Sequence, residues 1–568
     1  MDWPAWRADL FDPQKVPFSR RGSFLAISWI AGDGAFWLRN LRGGDENTDL
    51  GRLLRLEVVD LSGQVVQPAW TLTPDCLMAQ AGDGVLRFAF DGPDRIVLAG
   101  HGLRLRLRAG ESRYSYAQQG ADHVHICNAR QDLRCNIAAS RGAMHLHADW
   151  DGVSSSAIWL DLSPDDDGLV AAFDFFRVTP DLRPPLPLTD ARRLGATEFV
   201  RFQTNLPSLP HSLSAGHLLA SYILWSAYVP AEGALGLPAV YMSKNWMTNI
   251  WSWDHCFVAL GFGQTAPELA FQQMQVIFAA QDASGRLPDY INDRYAYWAF
   301  TKPPVHGWTF AQLRAMAPAA YPPERMSQIV VWLEAQVGSW MAGPRWGDLP
   351  AYRHGNDAGW DNATCFAEGG PLASPDLATF LILQLDEIAA LHRALGESLQ
   401  AQEATRRAEA MCAALCRDLW DGAGFVARHC DDGRAVGVGQ SLLLFLPLLL
   451  GDRLPVAMRE RLLTGLLQPG RFLTDHGVAT EATDSPLYRA NGYWRGPIWA
   501  PTTALFMDAL IRCGHVDSAV DLARRYCAMC NTQGMAENHD ALTGQGLHDP
   551  AFAWTSATFL RLGHSLLE

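Results

Sequence analysis

Two acids carry the chemistry that this sequence offers most plainly. Asp361 sits in the loop Asn356-Asp357-Ala358-Gly359-Trp360-Asp361-Asn362-Ala363-Thr364. An ordinary solvated loop rarely sets a tryptophan between two aspartates, so Asp361 is a candidate general acid. Glu537 opens the turn-rich segment Glu537-Asn538-His539-Asp540-Ala541-Leu542-Thr543-Gly544. A carboxyl held protonated can donate to a leaving oxygen, while a second, ionised one takes a proton from water. Alone, Glu537 carries little weight; it gains weight if the fold brings it opposite Asp361. The sequon Asn362-Ala363-Thr364 is a chance match if the chain is not secreted.

Two further loops concentrate aromatic rings and polar groups. In Trp251-Ser252-Trp253-Asp254-His255-Cys256-Phe257, Asp254 falls where a helix should begin. It can serve as a first-turn acid, as an acceptor for sugar hydroxyls, or as both. In Asn491-Gly492-Tyr493-Trp494-Arg495-Gly496-Pro497-Ile498-Trp499, the residues Tyr493, Trp494 and Arg495 read as a pocket wall. Trp499 is expected in the core at the edge of that wall, and Pro497 in a first helical turn. The segments Gln281 to Asp289 and Lys302 to Trp308 are supporting loops. The candidate binding set is thus Trp251, Asp254, Phe257, Gln281, Trp308, Gly359, Trp360, Asn362, Tyr493, Trp494, Arg495 and Trp499. Aromatic platforms beside acids suit carbohydrate.

Composition narrows the field. With Lys+Arg 46 against Asp+Glu 60, the net charge of −14 disfavours nucleic acid and anionic membrane as partners. Hydrophobic residues at 48% and charged residues at 19% allow a large core. The 21 tryptophans exceed what a core alone requires and suit stacking on sugar rings. The 11 cysteines lack metal-like pairing and read as reduced thiols. Met1-Asp2-Trp3-Pro4 shows no secretory leader, and the apolar run Leu442 to Leu450 is too short to span a bilayer. A cytoplasmic location is expected. Phosphate-loop, zincin and serine-hydrolase motifs are missing.

The elements that must position these loops change period along the chain. Up to about residue 200 the period is two, as in Leu103-Arg104-Leu105-Arg106-Leu107-Arg108. That pattern predicts an antiparallel β-sandwich over 1–195. His123, His125, His145 and His147 alternate along strands and read as strand-face residues. Prolines between 180 and 210 predict a linker, placed at 196–212. From 213 to 568 the period is helical. About twelve helices are predicted, including one at 440–450 and one at 497–513. Helical hairpins without a short sequence repeat predict an (α/α)6 barrel.

At its loops the sequence resembles glycoside hydrolase family 63, the group of processing α-glucosidase I and of bacterial mannosylglycerate and glucosylglycerate hydrolases. The family's W-x-W-D, K-P-P-x-x-G-W, E-S-G-x-D-N-S, Y-W-R-G-P-I-W and E-N-Y-x-x-x-T-G segments correspond, in order, to Trp251–Asp254, Lys302–Trp308, Asp357–Asn362, Tyr493–Trp499 and Glu537–Gly544. Two departures touch the pocket: Asp357-Ala358 replaces Glu-Ser, and His539 replaces Tyr.

The resemblance implies Asp361 as general acid, Glu537 as general base, inversion at the anomeric carbon, and no metal or other cofactor. It also implies sugar contacts from Trp251, Asp254, Tyr493, Trp494 and Arg495. The expected function is an exo-α-glycosidase, first of all an α-glucosidase, on a small soluble carbohydrate. A trehalase-like or glucosylglycerate- or mannosylglycerate-type hydrolase is the enzymatic alternative, although the trehalase Q-W-D-x-P signature is missing. A carbohydrate-binding protein on a decayed barrel is the non-enzymatic one. Homo-oligomerisation is left open. Burial against Trp360 is expected to raise the pKa of Asp361, and Arg495 is expected nearer Glu537 than Asp361.

Overall fold

The computed structural model describes residues 6–44, 49–110 and 112–567. Residues 1–4, read above for a leader, lie outside them. The chain divides into two compact units. One comprises 1–204, 221–232 and 243–248; the other comprises 205–220, 233–242 and 249–568.

The first unit is built on two antiparallel sheets. Seven strands lie in the order Phe18–Ser19, Leu25–Ile30, Ala35–Asn40, Arg52–Val59, Arg104–Ala109, Ser155–Ser163 and Ala143–Trp150. Eight more run from Tyr116–Gln119 through Val124–Asn128, Leu133–Arg141, Leu169–Phe176, Arg95–His101, Gly84–Phe90 and Cys76–Ala81 to Ala69–Thr73. The alternating segment behaves as its pattern requires. Leu105 and Leu107 are buried, while Arg106 and Arg108 point to the other face and pair across strands with Asp161 (2.6 Å) and Glu57 (2.9 Å). The histidines occupy strand faces: His125 bonds Asn136 at 2.8 Å and His147 stacks on Trp159. Among the described residues no group of three or more His, Cys, Asp or Glu is placed to hold a metal ion.

The proline-rich stretch differs from the expected linker. Helix α1, Leu188–Thr204, occupies it and buries Ala191, Ala196 and Phe199. The prolines pause between Pro187 and Pro207, which leaves room for a helix.

The second unit is helical: α2 (Ser214–Ser226, shared with the first), α3 (Asp254–Phe262), α4 (Pro267–Phe278), α5 (His306–Met316), α6 (Pro323–Met341), α7 (Pro375–Ala394), α8 (Ser398–Asp418), α9 (Val456–Leu467), α10 (Ala500–Arg512), α11 (Val516–Gln533) and α12 (Ala553–Ser565). Every residue of α3 is buried, and α7 is buried nearly all round, whereas α6, α8 and α11 each bury one face. The predicted helix at 440–450 is instead a 3-10 segment, Leu442–Arg453, because Pro447 and Gly451 (φ 56°) break the α-helical ladder. The predicted helix at 497–513 starts later, at Ala500 with Pro501 in its first turn. Ile498–Trp499, after Pro497, is a short strand. Among the described residues no helix is long and apolar enough to cross a membrane.

Short antiparallel ribbons join the long loops of this unit. One pairs Ile250–Trp251 with Tyr290–Ile291, and another pairs Ile498–Trp499 with Asn538–His539. The second ribbon sets the Tyr493 loop against the Glu537 loop.

Candidate active site

Each acid is held by local backbone chemistry. Asp254 is the first residue of α3, directly after Trp253. Asp361 follows a 3-10 turn, Gly355–Ala358, that ends at Gly359 with φ 70°. A Cβ on Gly359 would come within 2.6 Å of the Trp253 ring, so only glycine lets this loop lie flat on that tryptophan. Asp357 points into the loop and accepts the backbone N–H groups of Thr301 (3.1 Å), Arg353 and His354 (both 3.2 Å). It thereby fastens Lys302 beside the acid loop. Glu537 stands at the head of its ribbon, where its N–H donates to the Asp549 carbonyl at 2.7 Å.

These loops converge on one electrostatic cluster. Asp254 feels the charges of Lys302, Asp289, Asp361 and Glu537, and Glu537 in turn feels Asp361. Lys302 Nζ lies 3.1 Å from Asp289 and 3.8 Å from Asp361, and donates to the Asn356 carbonyl at 3.0 Å. Among the described residues no hydrogen bond joins Asp361 to Glu537.

Burial raises every carboxyl of the cluster. Glu537 is pushed up to about 8 by burial and by Asp549, against hydrogen bonds from the Tyr493 phenol (3.1 Å) and the Asp549 N–H (3.5 Å). Asp361 is raised by burial and pulled back by Lys302 and His354. Its side chain still exposes 36% of its surface, so a ligand can reach it. Asp289 rises to about 6 and Asp254 well above the carboxylate range, burial leading in both. Oδ2 of Asp254 is buried with no hydrogen-bond partner, an acceptor left for a ligand hydroxyl.

The aromatic residues divide into wall and scaffold. Trp494 stacks face to face on Trp499 (4.0 Å, 5°) and lies 4.9 Å from Trp360 and 5.9 Å from Trp253. Trp554 closes this block against Trp253 and Trp499 and donates its indole N–H to the Glu537 carbonyl at 3.1 Å. All five rings are buried. The half-buried Tyr493, held at φ 61°, bridges the block to Glu537. Trp251 leans on Tyr290 at 5.4 Å.

Several sequence expectations change here. Trp494 and Trp360 form the rigid backing of the wall and expose almost no face. Trp308 is buried, with its N–H on Asp508 at 2.6 Å, and Phe257 packs beside it in the core. Gln281 commits its amide to the carbonyls of Gly285 (2.9 Å) and Trp332 (3.0 Å). Arg495 is tied to the loop that carries Asp361. Its Nε donates to the carbonyl of Asn362 at 2.7 Å, on the Asp361 side, because Asn362 also ties that loop to Trp494 N–H (2.9 Å) and Gly492 O (3.1 Å). Sequence reasoning missed Lys302 and Asp289 as site residues, although both lay in loops already singled out. It also missed Asp549, Trp253 and Trp554, whose parts depend on the ribbon and the block. A separate cavity of 510 Å³ in the sheet unit is lined by Arg42, Arg183, Asp91 and Glu232 among others, with Arg42 paired to Glu232 (2.8 Å) and Arg183 to Asp91 (2.7 Å).

Residues 247–555 match the mannosylglycerate hydrolase MGH1-like glycoside hydrolase domain. Mannosylglycerate hydrolase of Rubrobacter radiotolerans is 24% identical over 400 residues, covering 55% of this chain and 89% of that protein. Glucosylglycerate hydrolase of Mycolicibacterium hassiacum is 24% identical over 411 residues, 55% of this chain and 91% of that protein. Among solved structures, a mannosylglycerate hydrolase of Thermus thermophilus in complex with glucose superposes with a TM-score of 0.51 at 22% identity. It covers 60% of this chain and 98% of its own. A bacterial glucoamylase complexed with acarbose reaches 0.66 at 11% identity, over 100% of this chain and 96% of its own; that likeness is one of fold.

Proposed function

Because the chain belongs to glycoside hydrolase family 63 and is a glycosidase, we propose that it is an inverting exo-α-glycosidase on a small α-linked glycoside. Asp361 is the general acid and Glu537 the general base. α-Glucosides come first, and glucosylglycerate and mannosylglycerate join them because two relatives bear those activities in their names. The observation that carries the reading is the shared electrostatic field of Asp361 and Glu537, which arrive from loops far apart in sequence, without a bond between them. Inversion needs a water between base and anomeric carbon, and so a carboxyl separation of ~6.5–9.5 Å. Asp254, with its unpartnered Oδ2, binds sugar hydroxyls. Tyr493 orients Glu537, and Trp251 with Tyr290 forms the aromatic side.

The helical unit is the catalytic domain, an (α/α)6 barrel over 213–568 in which buried helices such as α3 and α7 form the inner ring. The sheets of 1–195 form a β-sandwich, and the protein works in the cytoplasm.

One observation favours the reverse assignment of the acids. Glu537 at about 8 keeps its proton at neutral pH, while Lys302 stabilises the ionised form of Asp361. Substrates with activated leaving groups separate the readings, since they need no proton. The variant of the true acid keeps activity on them, whereas the variant of the true base does not.

The deciding experiment incubates the protein with α-linked disaccharides, glucosylglycerate and mannosylglycerate and follows the released anomer by NMR. Asp361→Asn and Glu537→Gln should each lower turnover by roughly 10²–10⁴-fold. Release of the substrate's own anomer would overturn inversion. Unchanged turnover in either variant would remove that residue from the mechanism.

A further inference from the structure

A second cavity of the helical unit, 220 Å³, opens between the turn at 282–286 and the loop after α6. Arg286, Arg353, Ser284, Ser339 and Trp340 line it, together with Thr301 and Asp357. None of Asp254, Asp361 and Glu537 does.

We propose that this cavity is an anion-binding site that takes a small phosphate- or carboxylate-bearing molecule between Arg286 and Arg353.

Three observations support it. First, neither guanidinium forms an ion pair among the described residues, in a chain where most arginines do. Two arginines outside any ion pair on one concave wall, beside the Ser339 hydroxyl, offer the donors that an oxyanion accepts. Asp357, the carboxylate on the same wall, already accepts three backbone N–H groups, so its charge is compensated locally. Asp282 in the turn feels the charge of Arg286 without forming an ion pair with it, and its Oδ1 is engaged by the N–H groups of Ser284 (3.0 Å) and Arg286 (2.8 Å) and by the Ser284 hydroxyl (2.7 Å).

Second, the turn is built to hold Arg286 still. Gly285 sits at φ 84°, and any Cβ there would run into the Ala335 carbonyl of α6. The Gln281 amide staples the Gly285 carbonyl to that of Trp332 in the same helix. This gives Gln281 a role that its place in the loop did not suggest: it seats the turn that presents Arg286. Preorganised donors lose little entropy on binding.

Third, the wall is shared with the acid loop. Asp357 bonds Thr301, whose neighbour Lys302 faces Asp289 and Asp361. An occupant therefore touches the backbone that sets the distance from Lys302 to Asp361.

Isothermal titration of the 568-residue chain at constant ionic strength tests the site, with inorganic phosphate and citrate as probes and glucose as the neutral control. Saturable binding of phosphate or citrate, weakened about tenfold or more by both Arg286→Gln and Arg353→Gln, is expected. Arg393→Gln, at the exposed end of α7, should leave it unchanged. Phosphate alone or citrate alone would fix which oxyanion the cavity prefers. Absence of saturable binding by both, or affinity unaltered in either cavity variant, would overturn the proposal. Because binding is read without turnover, and should survive Asp361→Asn, the result is independent of the catalytic assignment.

Discussion

The phenol of Tyr493 donates its O–H to Oε1 of Glu537 across 3.1 Å. That bond favours the ionised carboxylate, against the burial and the Asp549 charge that put Glu537 at about 8. Tyr493→Phe should therefore move Glu537 to still higher pH. With Glu537 as base, the acidic limb of kcat/KM shifts upward and activity at pH 7 falls about tenfold. With Glu537 as acid, the alkaline limb shifts upward instead and neutral activity is kept. A pH profile that does not move at all would detach Glu537 from the titrating pair.

Stability should carry the same signature. The folded pKa of Glu537 lies above its ordinary value of 4.5. The native state therefore holds a proton that the unfolded chain releases, and stability falls as pH rises between those values. Glu537→Gln removes that cost. Its melting temperature should match the parent near pH 4 and exceed it by a margin that widens up to about pH 8 and is flat beyond. Thermal scans across that range check it; a margin independent of pH would contradict the burial argument.

Lys302 is the cation that offsets Asp289 at 3.1 Å, with both side chains almost fully buried. Lys302→Met leaves a buried carboxyl without its partner, at a cost of roughly 3–5 kcal/mol in denaturant unfolding. Pairing it with Asp289→Asn should recover a large part of that loss. A double variant no more stable than Lys302→Met would mean that the pair is not the source of the cost.

Gly359→Ala should lower both stability and turnover. The left-handed backbone and the 2.6 Å approach to Trp253 must both be relieved, which costs about 1–3 kcal/mol and shifts Asp361. Melting temperature and kcat measured together check this. A loss of stability with full kcat would show that the loop relaxes without moving the acid.

The sequence revealed much of the fold because its periods are clean. Leucine–arginine alternation marked a strand, and nearly all the predicted helices are present. Breaks at Pro447 and Gly451, and the helix between two proline clusters, turn on single residues that a window averages away. Within the site, acids flanked by tryptophan were legible from composition of the loops alone. Lys302 was not, because a lysine beside two prolines reads as a loop residue until its partners, Asp289 and Asp361, are brought to it from other loops. The partner of Arg495 was hidden for a related reason: the Asn362 carbonyl that receives it belongs to a loop distant in sequence.

The five packed indoles also bear on how such a protein can change its substrate. Trp253, Trp360, Trp494, Trp499 and Trp554 hold one another and the two acid loops at once, so replacing any of them disturbs the reaction before it alters selectivity. Novelty is cheaper outside that masonry, at the buried pair Trp251 and Tyr290. A division of this kind lets a lineage explore new sugars while its chemistry stays in place.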